Sequence, residues 1–147
     1  MSIGQREKAT QKRVIKLFVQ ELGYTYLGDF TERKNANIET ELLTKFLTRK
    51  GYSPVLISRA LKELQDAAGD QSVNLYDLNE QTYKKLRYGV KVSEFVGQHK
   101  ITVQFVDWEH PLENDFYIAE EVTIKHKRPD LVLYINGIAF AVIELKR

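Results

Sequence analysis

The last twenty residues, RPDLVLYINGIAFAVIELKR, hold the side chains best suited to chemistry. Asp130 opens one apolar run, while Glu144 and Lys146 close the next, spaced so that both point to one face of a strand. Charged side chains that continue an apolar strand cost free energy unless they are ion-paired, solvated or needed for function. Two carboxylates can hold Mg²⁺, and a lysine can position the attacking water or offset charge on a phosphate. The pattern indicates phosphodiester hydrolysis, and the alternative is a surface salt bridge at the end of a hairpin.

The geometry of that hairpin decides between the two interpretations. Asn136-Gly137 between two hydrophobic runs predicts a tight turn. A regular two-residue loop there pairs Asp130 with Ile143 and turns Glu144 to the opposite face of the sheet. A shared metal site therefore requires a one-residue adjustment, either a three-residue loop with Gly137 left-handed or a β-bulge in one strand. Since both runs are apolar at nearly every position, we expect the hairpin to be central and covered on both faces.

The rest of the chain supplies elements that could position these residues. Helical spacing of apolar residues predicts helices over residues 5–22, over 37–50 with Asn37 as the cap, from Ser53-Pro54 onward, and over 80–88. From Val90 the period changes, which predicts strands over 90–96, 101–108 and 116–124 before the hairpin. The expected fold is α+β, with a helical part over about 5–89 and a mostly antiparallel or mixed sheet over about 90–147.

Length and composition fit one globular domain over 1–147. The chain is 43% hydrophobic and 29% charged, and it has no cysteine for disulfides or thiolate metal sites. The longest apolar stretch, residues 138–143, is too short to cross a bilayer, and the charged N-terminus lacks the apolar region of a signal peptide. These features suit a cytoplasmic protein without a membrane partner.

Positive charge is clustered rather than abundant. The net charge of +2 does not by itself indicate nucleic-acid binding. Basic residues crowd the first helix and form a short run over residues 125–128. Lys127 and Arg128 stand beside Asp130, so they are candidate phosphate contacts, although a charge run is most often a solvated surface.

The motif P-D followed by E-x-K resembles the PD-(D/E)xK nuclease superfamily. RPDLVLYINGIAFAVIELK is similar, more specifically, to the N-terminal nuclease of the R subunit of type I restriction enzymes. So are TQKRVIKLFVQELGYTYLGDF, LYDLNEQTYKKLRYGVKV and DWEHPLENDFYIAEEVTI, which extends the resemblance over almost the whole chain. The resemblance implies a Mg²⁺-dependent endonuclease of double-stranded DNA that acts with methylation (M) and specificity (S) subunits.

Carried over by the resemblance, the catalytic residues are Asp130, Glu144 and Lys146, with Asp130 and Glu144 as metal ligands. Many superfamily members add an acidic residue on the first helix. Here that role stays open among the following residues: Glu7, Gln11, Glu21, Glu120 and Glu121. The chain has no G-x-x-x-x-G-K-[ST] motif, so ATP would act only through motor domains elsewhere in a larger subunit.

Other candidates favour structural roles. The three histidines, His99, His110 and His126, have no metal-ligand spacing and are expected at the surface. Residues 46–64 have the length of a helix–turn–helix, but their apolar spacing favours core packing. Trp108 and Tyr117 could stack on bases, although buried aromatics on strands are commoner. The rival functions are a catalytically silent DNA-docking module and a scaffold that holds partner subunits.

Overall fold

The computed structural model describes residues 2–70 and 72–146. They form two compact units, each containing helices and strands. The terminal unit comprises residues 1–39 and 115–147, and the inserted unit comprises residues 40–114. The α+β class predicted from the sequence is confirmed.

The described elements differ from the predicted ones mainly at their ends. The helices are α1 (Ile3–Gln20), α2 (Thr40–Arg49), α3 (Pro54–Gly69) and α4 (Leu75–Tyr88), with a 3₁₀ turn at Pro111–Glu113. The strands are β1 (Thr25–Asp29), β2 (Val90–Val92), β3 (Ile101–Val103), β4 (Phe116–Glu120), β5 (Leu131–Ile135) and β6 (Ile138–Ile143).

Two helix starts were predicted wrongly. The fourth helix begins at Leu75 rather than residue 80, because the Asn74 side chain caps it by accepting the N–H of Asp77 at 2.9 Å. The second begins at Thr40, so Asn37 is not its cap. Residues 37–39 are instead extended and form backbone hydrogen bonds with the β5–β6 hairpin. Because of these bonds, the helix begins only after residue 39.

The sheet of the terminal unit has the order β1-β4-β5-β6, with β1 parallel to β4 and the other neighbours antiparallel. Helix α1 covers one face of this sheet, where its Val14, Ile15 and Phe18 pack on a core that includes Ile118 and Leu131. Strand β1 was not predicted. Its sequence, TYLGD, is short and has no clear alternation, and its exposed and half-buried positions show why.

The prediction that the hairpin is covered on both faces is right for β5 and wrong for β6. All but the last residue of β5 is buried. In contrast, β6 lies at the edge of the described sheet, and the side chains of Phe140 and Val142 are 50% and 61% exposed. One face of β6 therefore meets solvent although its sequence is apolar throughout.

The chain leaves and re-enters the terminal unit at the same turn. The Glu39 N–H donates to the Gly137 carbonyl at 2.7 Å, just before the inserted unit begins. Where the chain returns, the Asn136 N–H donates to the Asp115 carbonyl and the Asn136 side chain accepts the Asp115 N–H, both at 2.7 Å. The β5–β6 turn thus anchors both connections.

The inserted unit packs α2, α3 and α4 with the antiparallel pair β2–β3. Apolar positions within residues 46–64 are buried, including Phe46, Leu56 and Leu64, which agrees with the predicted core packing. Trp108, predicted to be buried, is 48% exposed. The reason is that β3 ends at Val103, so the chain has left the sheet before the tryptophan. In the terminal unit, Tyr117 is buried as predicted.

Within the described ranges, the helices are too short or too polar for any of them to cross a membrane.

Tyr134 of β5 gives a pH-dependent test of the core of the terminal unit. Its side chain is fully buried, and its hydroxyl has no hydrogen-bond partner in the part of the chain that the structure describes. Burial, and after it the charge of Glu39, raises the pKa of Tyr134 to about 12 from an ordinary value of 10.0. We expect Tyr134→Phe to be at least as stable as wild type near neutral pH, because no hydrogen bond is lost.

Above pH 10 the two proteins should diverge. The unfolded tyrosine ionises near pH 10 while the folded one stays neutral to about pH 12, so wild type loses stability across that window. The loss amounts to roughly 2–3 kcal/mol that Tyr134→Phe lacks. Urea denaturation of both proteins between pH 8 and the high end of that window measures the difference, and a constant difference would contradict the prediction.

Candidate functional site

The turn between β5 and β6 is the regular two-residue form. Asn136 and Gly137 have φ angles of 53° and 91°, and Ile135 pairs directly with Ile138. Left-handed backbone at both central residues is what a tight hairpin turn of this kind needs, and asparagine and glycine tolerate it best. Had the pairing continued unchanged, the two carboxylates of the hairpin would face opposite sides.

The pairing does change, because β6 contains one extra residue. Tyr134 pairs with Ala139, but the preceding residue of β5, Leu133, pairs with Ala141. Phe140 is therefore the extra residue of a β-bulge. A shared metal site required either a three-residue loop or a β-bulge, and the structure has the bulge.

Beyond the bulge, the ladder runs toward Asp130 and Glu144. Its last pair is Leu131 with Ile143, and Asp130 and Glu144 are the next residues just outside the two strands. Residues directly opposed on antiparallel strands have side chains on the same face. Continued by one residue, the shifted register would therefore put Glu144 on the same face as Asp130, whereas the unshifted register would put it on the opposite face.

The Asp130 carboxylate is also tied to the chain that continues β6. Its Oδ2 accepts the N–H of Leu145, the residue between Glu144 and Lys146, at 2.7 Å. Asp130 is half-buried, whereas Glu144 and Lys146 are exposed. Neither exposed side chain makes a hydrogen bond or ion pair with the described residues, so the structure does not show the simple salt bridge.

The backbone of Asp130 is held from the other side by the end of β4. Its carbonyl accepts the N–H of Glu121 at 3.0 Å. Glu121 has a φ of 55°, in the left-handed region, where the chain turns out of β4. Asp130 is therefore fixed between two strands, by its carbonyl on one side and its carboxylate on the other.

A cleft of about 410 Å³ lies beside Glu121, between α1 and the ends of β1 and β4. Gln11 of α1 is buried and donates through Nε2 to Glu121 Oε1 at 3.4 Å. Arg128 Nε lies 3.1 Å from Glu121 Oε2. Both oxygens of the Glu121 carboxylate therefore have partners within the protein.

Two more carboxylates line the same cleft, Asp29 and Glu120. Hydrogen bonds from the hydroxyl and backbone N–H of Thr31 hold the pKa of Asp29 below its ordinary value. Burial, followed by the charge and hydrogen bond of Glu120, raises the pKa of Tyr26. Each carboxylate of the cleft therefore has a hydrogen-bond or ion-pair partner, so the cleft is not an open acidic site.

The candidates for a further metal ligand lie on α1, just after it, and in the cleft. Glu7 lies half-buried on α1, and Glu21 lies exposed just after it. Gln11, Glu120 and Glu121 line the cleft. Across residues 2–70 and 72–146, no group of three or more histidine or acidic side chains is arranged to hold a metal ion. A third carboxylate ligand therefore stays unassigned, and the histidines are exposed as predicted.

The two candidate phosphate contacts differ in their surroundings. The backbone of Lys127 forms a small turn with Ile124, at 2.9 and 3.1 Å, and its side chain is exposed. Arg128 is also exposed but forms the ion pair with Glu121. The structure leaves Lys127 open to an incoming ligand, whereas Arg128 must give up or share a partner.

Sequence reasoning named the hairpin residues but not the contacts around them. Leu145 acts only through its backbone N–H, and Gln11 acts through an amide on a helix face that the sequence shows only as polar. Neither contact has a local sequence signal, because each depends on which strand the chain meets after folding.

Comparison with known proteins points to one family. The family model described as "Type I restriction enzyme R protein N terminus" matches residues 4–147. A protein of Methanocaldococcus jannaschii, provisionally named as the MjaIXP endonuclease subunit of a type I restriction enzyme, is 27% identical over 145 residues, covering 87% of this chain and 14% of that protein. The "Type I restriction enzyme HindI endonuclease subunit" of Haemophilus influenzae is 37% identical over 76 residues, covering 46% of this chain and 7% of that protein.

The chain therefore spans a small part of the length of these curated relatives. No solved structure matches it.

The hydrogen bond between Leu145 and Asp130 predicts separable effects of two substitutions. Asp130→Ala leaves the Leu145 N–H without its acceptor, so we expect the free energy of unfolding to fall by about 1–2 kcal/mol. Asp130→Asn keeps an acceptor oxygen and removes only the charge, so its stability should stay close to that of wild type. Urea denaturation followed by circular dichroism compares them, and equal losses in both variants would show that the hydrogen bond is not what matters.

Proposed function

Because the chain belongs to the family of type I restriction enzyme R protein N-terminal domains, we propose that it is the DNA-cleaving domain of such an enzyme. In this proposal Asp130, Glu144 and Lys146 are the catalytic residues, and double-stranded DNA is the substrate. The proposal extends to the methylation and specificity subunits as partners, to ATP used by motor domains outside this chain, and to action in the cytoplasm.

One observation carries the proposal. The bulge at Phe140 shifts the register so that, continued by one residue past Leu131 and Ile143, it would oppose Glu144 and Asp130, which the turn alone would separate. A bulge costs regular pairing and is commonly found where a strand must re-aim a side chain beside an active site. A scaffold for partner subunits would not need the two carboxylates on one face, so the bulge favours catalysis over docking.

The donor set suits Mg²⁺. This ion prefers oxygen ligands, keeps several waters and is usually held by one or two carboxylates. Asp130 Oδ2 is occupied by the Leu145 N–H, which leaves Oδ1 for a metal. The Glu144 carboxylate is exposed and has no partner among the described residues. Mg²⁺ bound there would polarise the phosphoryl group and lower the pKa of a water.

The chain's own residues would then divide the work. Asp130, fixed at both its carbonyl and its carboxylate, supplies the rigid ligand. Glu144 would complete the pair of ligands. Lys146, two residues further and on the same side of an extended chain, holds its ammonium group where it can orient a water or offset charge on phosphate oxygens.

The central test uses charge-neutral replacements in the enzyme that contains this chain, assembled with its partner subunits. We expect Glu144→Gln and Asp130→Asn each to reduce Mg²⁺-dependent plasmid cleavage about 100-fold or more, because each removes a metal-binding charge. DNA binding should stay unchanged because neither substitution removes a positive charge, and ATP hydrolysis should stay unchanged because the motor domains would lie outside this chain. Glu32→Gln is the matched control, because Glu32 is exposed and lies outside the hairpin.

Three outcomes separate the proposal from its rivals. Full cleavage by Glu144→Gln would contradict the catalytic assignment. Loss of cleavage together with loss of DNA binding in the same variant would favour a docking module. Loss of ATP hydrolysis or of subunit assembly in that variant, with normal DNA binding, would favour a scaffold.

The basic run beside Asp130 gives a second prediction about DNA. We expect Lys127→Glu to weaken cleavage more than Arg128→Glu, because Arg128 already pairs with Glu121. Phosphate contacts release counterions, so wild-type binding falls fastest with added salt and both defects should shrink as the salt concentration rises. Lys45→Glu, an exposed position on α2, makes the same change in net charge away from the hairpin. Equal cleavage by all three variants across a salt titration would mean that the run is only a solvated surface.

A further inference from the structure

We propose that the inserted unit carries a second ligand site, separate from the hairpin, that holds an unstacked nucleobase. The site is a cleft of about 430 Å³ lined by residues of α2, α4 and the segment after β3. That volume lies in the range of small-molecule sites. Every residue of the cleft belongs to the inserted unit, so it shares no side chain with Asp130, Glu144 or Lys146.

Trp108 supplies the stacking surface. Its indole is 48% exposed and lines the cleft, so part of its surface is open to a ligand. Its Nε1–H donates to the Leu86 carbonyl at 3.2 Å, so the ring is held by one edge rather than free to turn. A tethered, half-exposed indole that lines a cleft is well suited to stack on a planar ligand.

Arg87 extends this surface. Its guanidinium carbon lies 5.1 Å from the ring centroid of Trp108 and 5.6 Å from that of Tyr88. A guanidinium is planar and stacks on aromatic faces, and base-binding proteins use aromatic rings together with arginine for the same purpose. Arg87 therefore lies over both rings, and a planar ligand would stack on its guanidinium or on the indole surface that stays exposed.

Gln104 supplies an unused hydrogen-bond acceptor. Its Nε2 donates to the Tyr88 carbonyl at 3.3 Å, which orients the amide. Its Oε1 is buried and has no partner among the described residues. A buried acceptor without a donor is unfavourable, and a ring N–H or exocyclic amine of a base would satisfy it once the amide turns this oxygen toward the cleft that Gln104 lines.

The charges of the cleft favour a neutral ring over a polyanion. Lys50 and Arg87 line it, but so do Asp107 and Glu109. Lys50 is also committed to Asp107, at 2.7 Å, and this contact lowers the pKa of Asp107. A phosphate group inside the cleft would find no excess of positive charge, so the cleft suits the uncharged base of a nucleotide and the phosphates of a strand would stay outside it.

A base of this kind could come from single-stranded DNA or from a free nucleotide. We favour single-stranded DNA, and that choice rests on the proposed function, because a nuclease meets unpaired strands. The stacking site itself does not rest on it. Its ligand chemistry follows from Trp108, Arg87 and Gln104 whichever reaction the hairpin performs.

The test uses the only tryptophan of the chain as its reporter. The protein is titrated with a single strand of about six nucleotides, within the usual site size, with the same sequence as a duplex, and with the corresponding mononucleotide. We expect saturable quenching of Trp108 fluorescence by the single strand, with weaker quenching by the duplex. Equal affinity for the mononucleotide would confirm a base site and identify free nucleotide as its source.

Variants are compared by the anisotropy of a labelled single strand. Trp108→Ala should weaken binding about tenfold, as loss of one stacked base does, while Trp108→Phe should retain much of it. Gln104→Leu should weaken binding and reduce discrimination among the four bases. Tyr76→Ala is the matched control, because Tyr76 is 76% exposed on α4 outside the cleft. Circular dichroism melting verifies that each variant is folded.

Two results would overturn the proposal: no saturable quenching by any of the three nucleotide ligands, or equal loss of binding in Trp108→Ala and Tyr76→Ala. Quenching by an aromatic peptide but by no nucleotide would assign the cleft to protein docking instead. Because fluorescence does not depend on cleavage, failure of the nuclease proposal and failure of this one are distinguishable.

Discussion

The arrangement of the hairpin depends on the two-residue period of a β-strand. Neighbouring side chains of a strand point to opposite faces. Glu144 can therefore share a face with Asp130 only if the hairpin contains one residue more than regular pairing from a two-residue turn requires. The turn at Asn136-Gly137 does not supply that residue, and the bulge at Phe140 does. This single extra residue also brings the Leu145 N–H within hydrogen-bonding distance of the Asp130 carboxylate.

Hydrophobicity alone would not have chosen the bulged register. The residues of β6, IAFAVI, are apolar at every position, so a slip by one residue exchanges one apolar set for another. Core packing on α1 involves Ala141 and Ile143, while Phe140 and Val142 meet solvent. The hydrophobic pattern therefore does not determine the register of β6. A bulge or a longer loop was predicted only because a shared metal site requires two carboxylates on one face.

The same reasoning explains how much could be predicted from the sequence. The α+β class, the tight turn and the core of residues 46–64 follow from local spacing, and all three are found. Strand β1 and the extended residues 37–39 lack such a signal, because they are ordered by pairing with distant residues such as Tyr117 and Gly137. The roles of Asp130, Glu144 and Lys146 stay predictions.

The anchoring of residues 39 and 115 at the β5–β6 turn bears on how this domain can vary. Both junctions sit on adjacent residues at one end of the hairpin, while Asp130 and Glu144 lie at the other. Segments joined to a sheet through closely spaced ends are those that tolerate replacement or circular permutation. The region between the junctions could thus be exchanged for another of different length without altering strand register, so that the inserted unit and the hairpin could evolve independently.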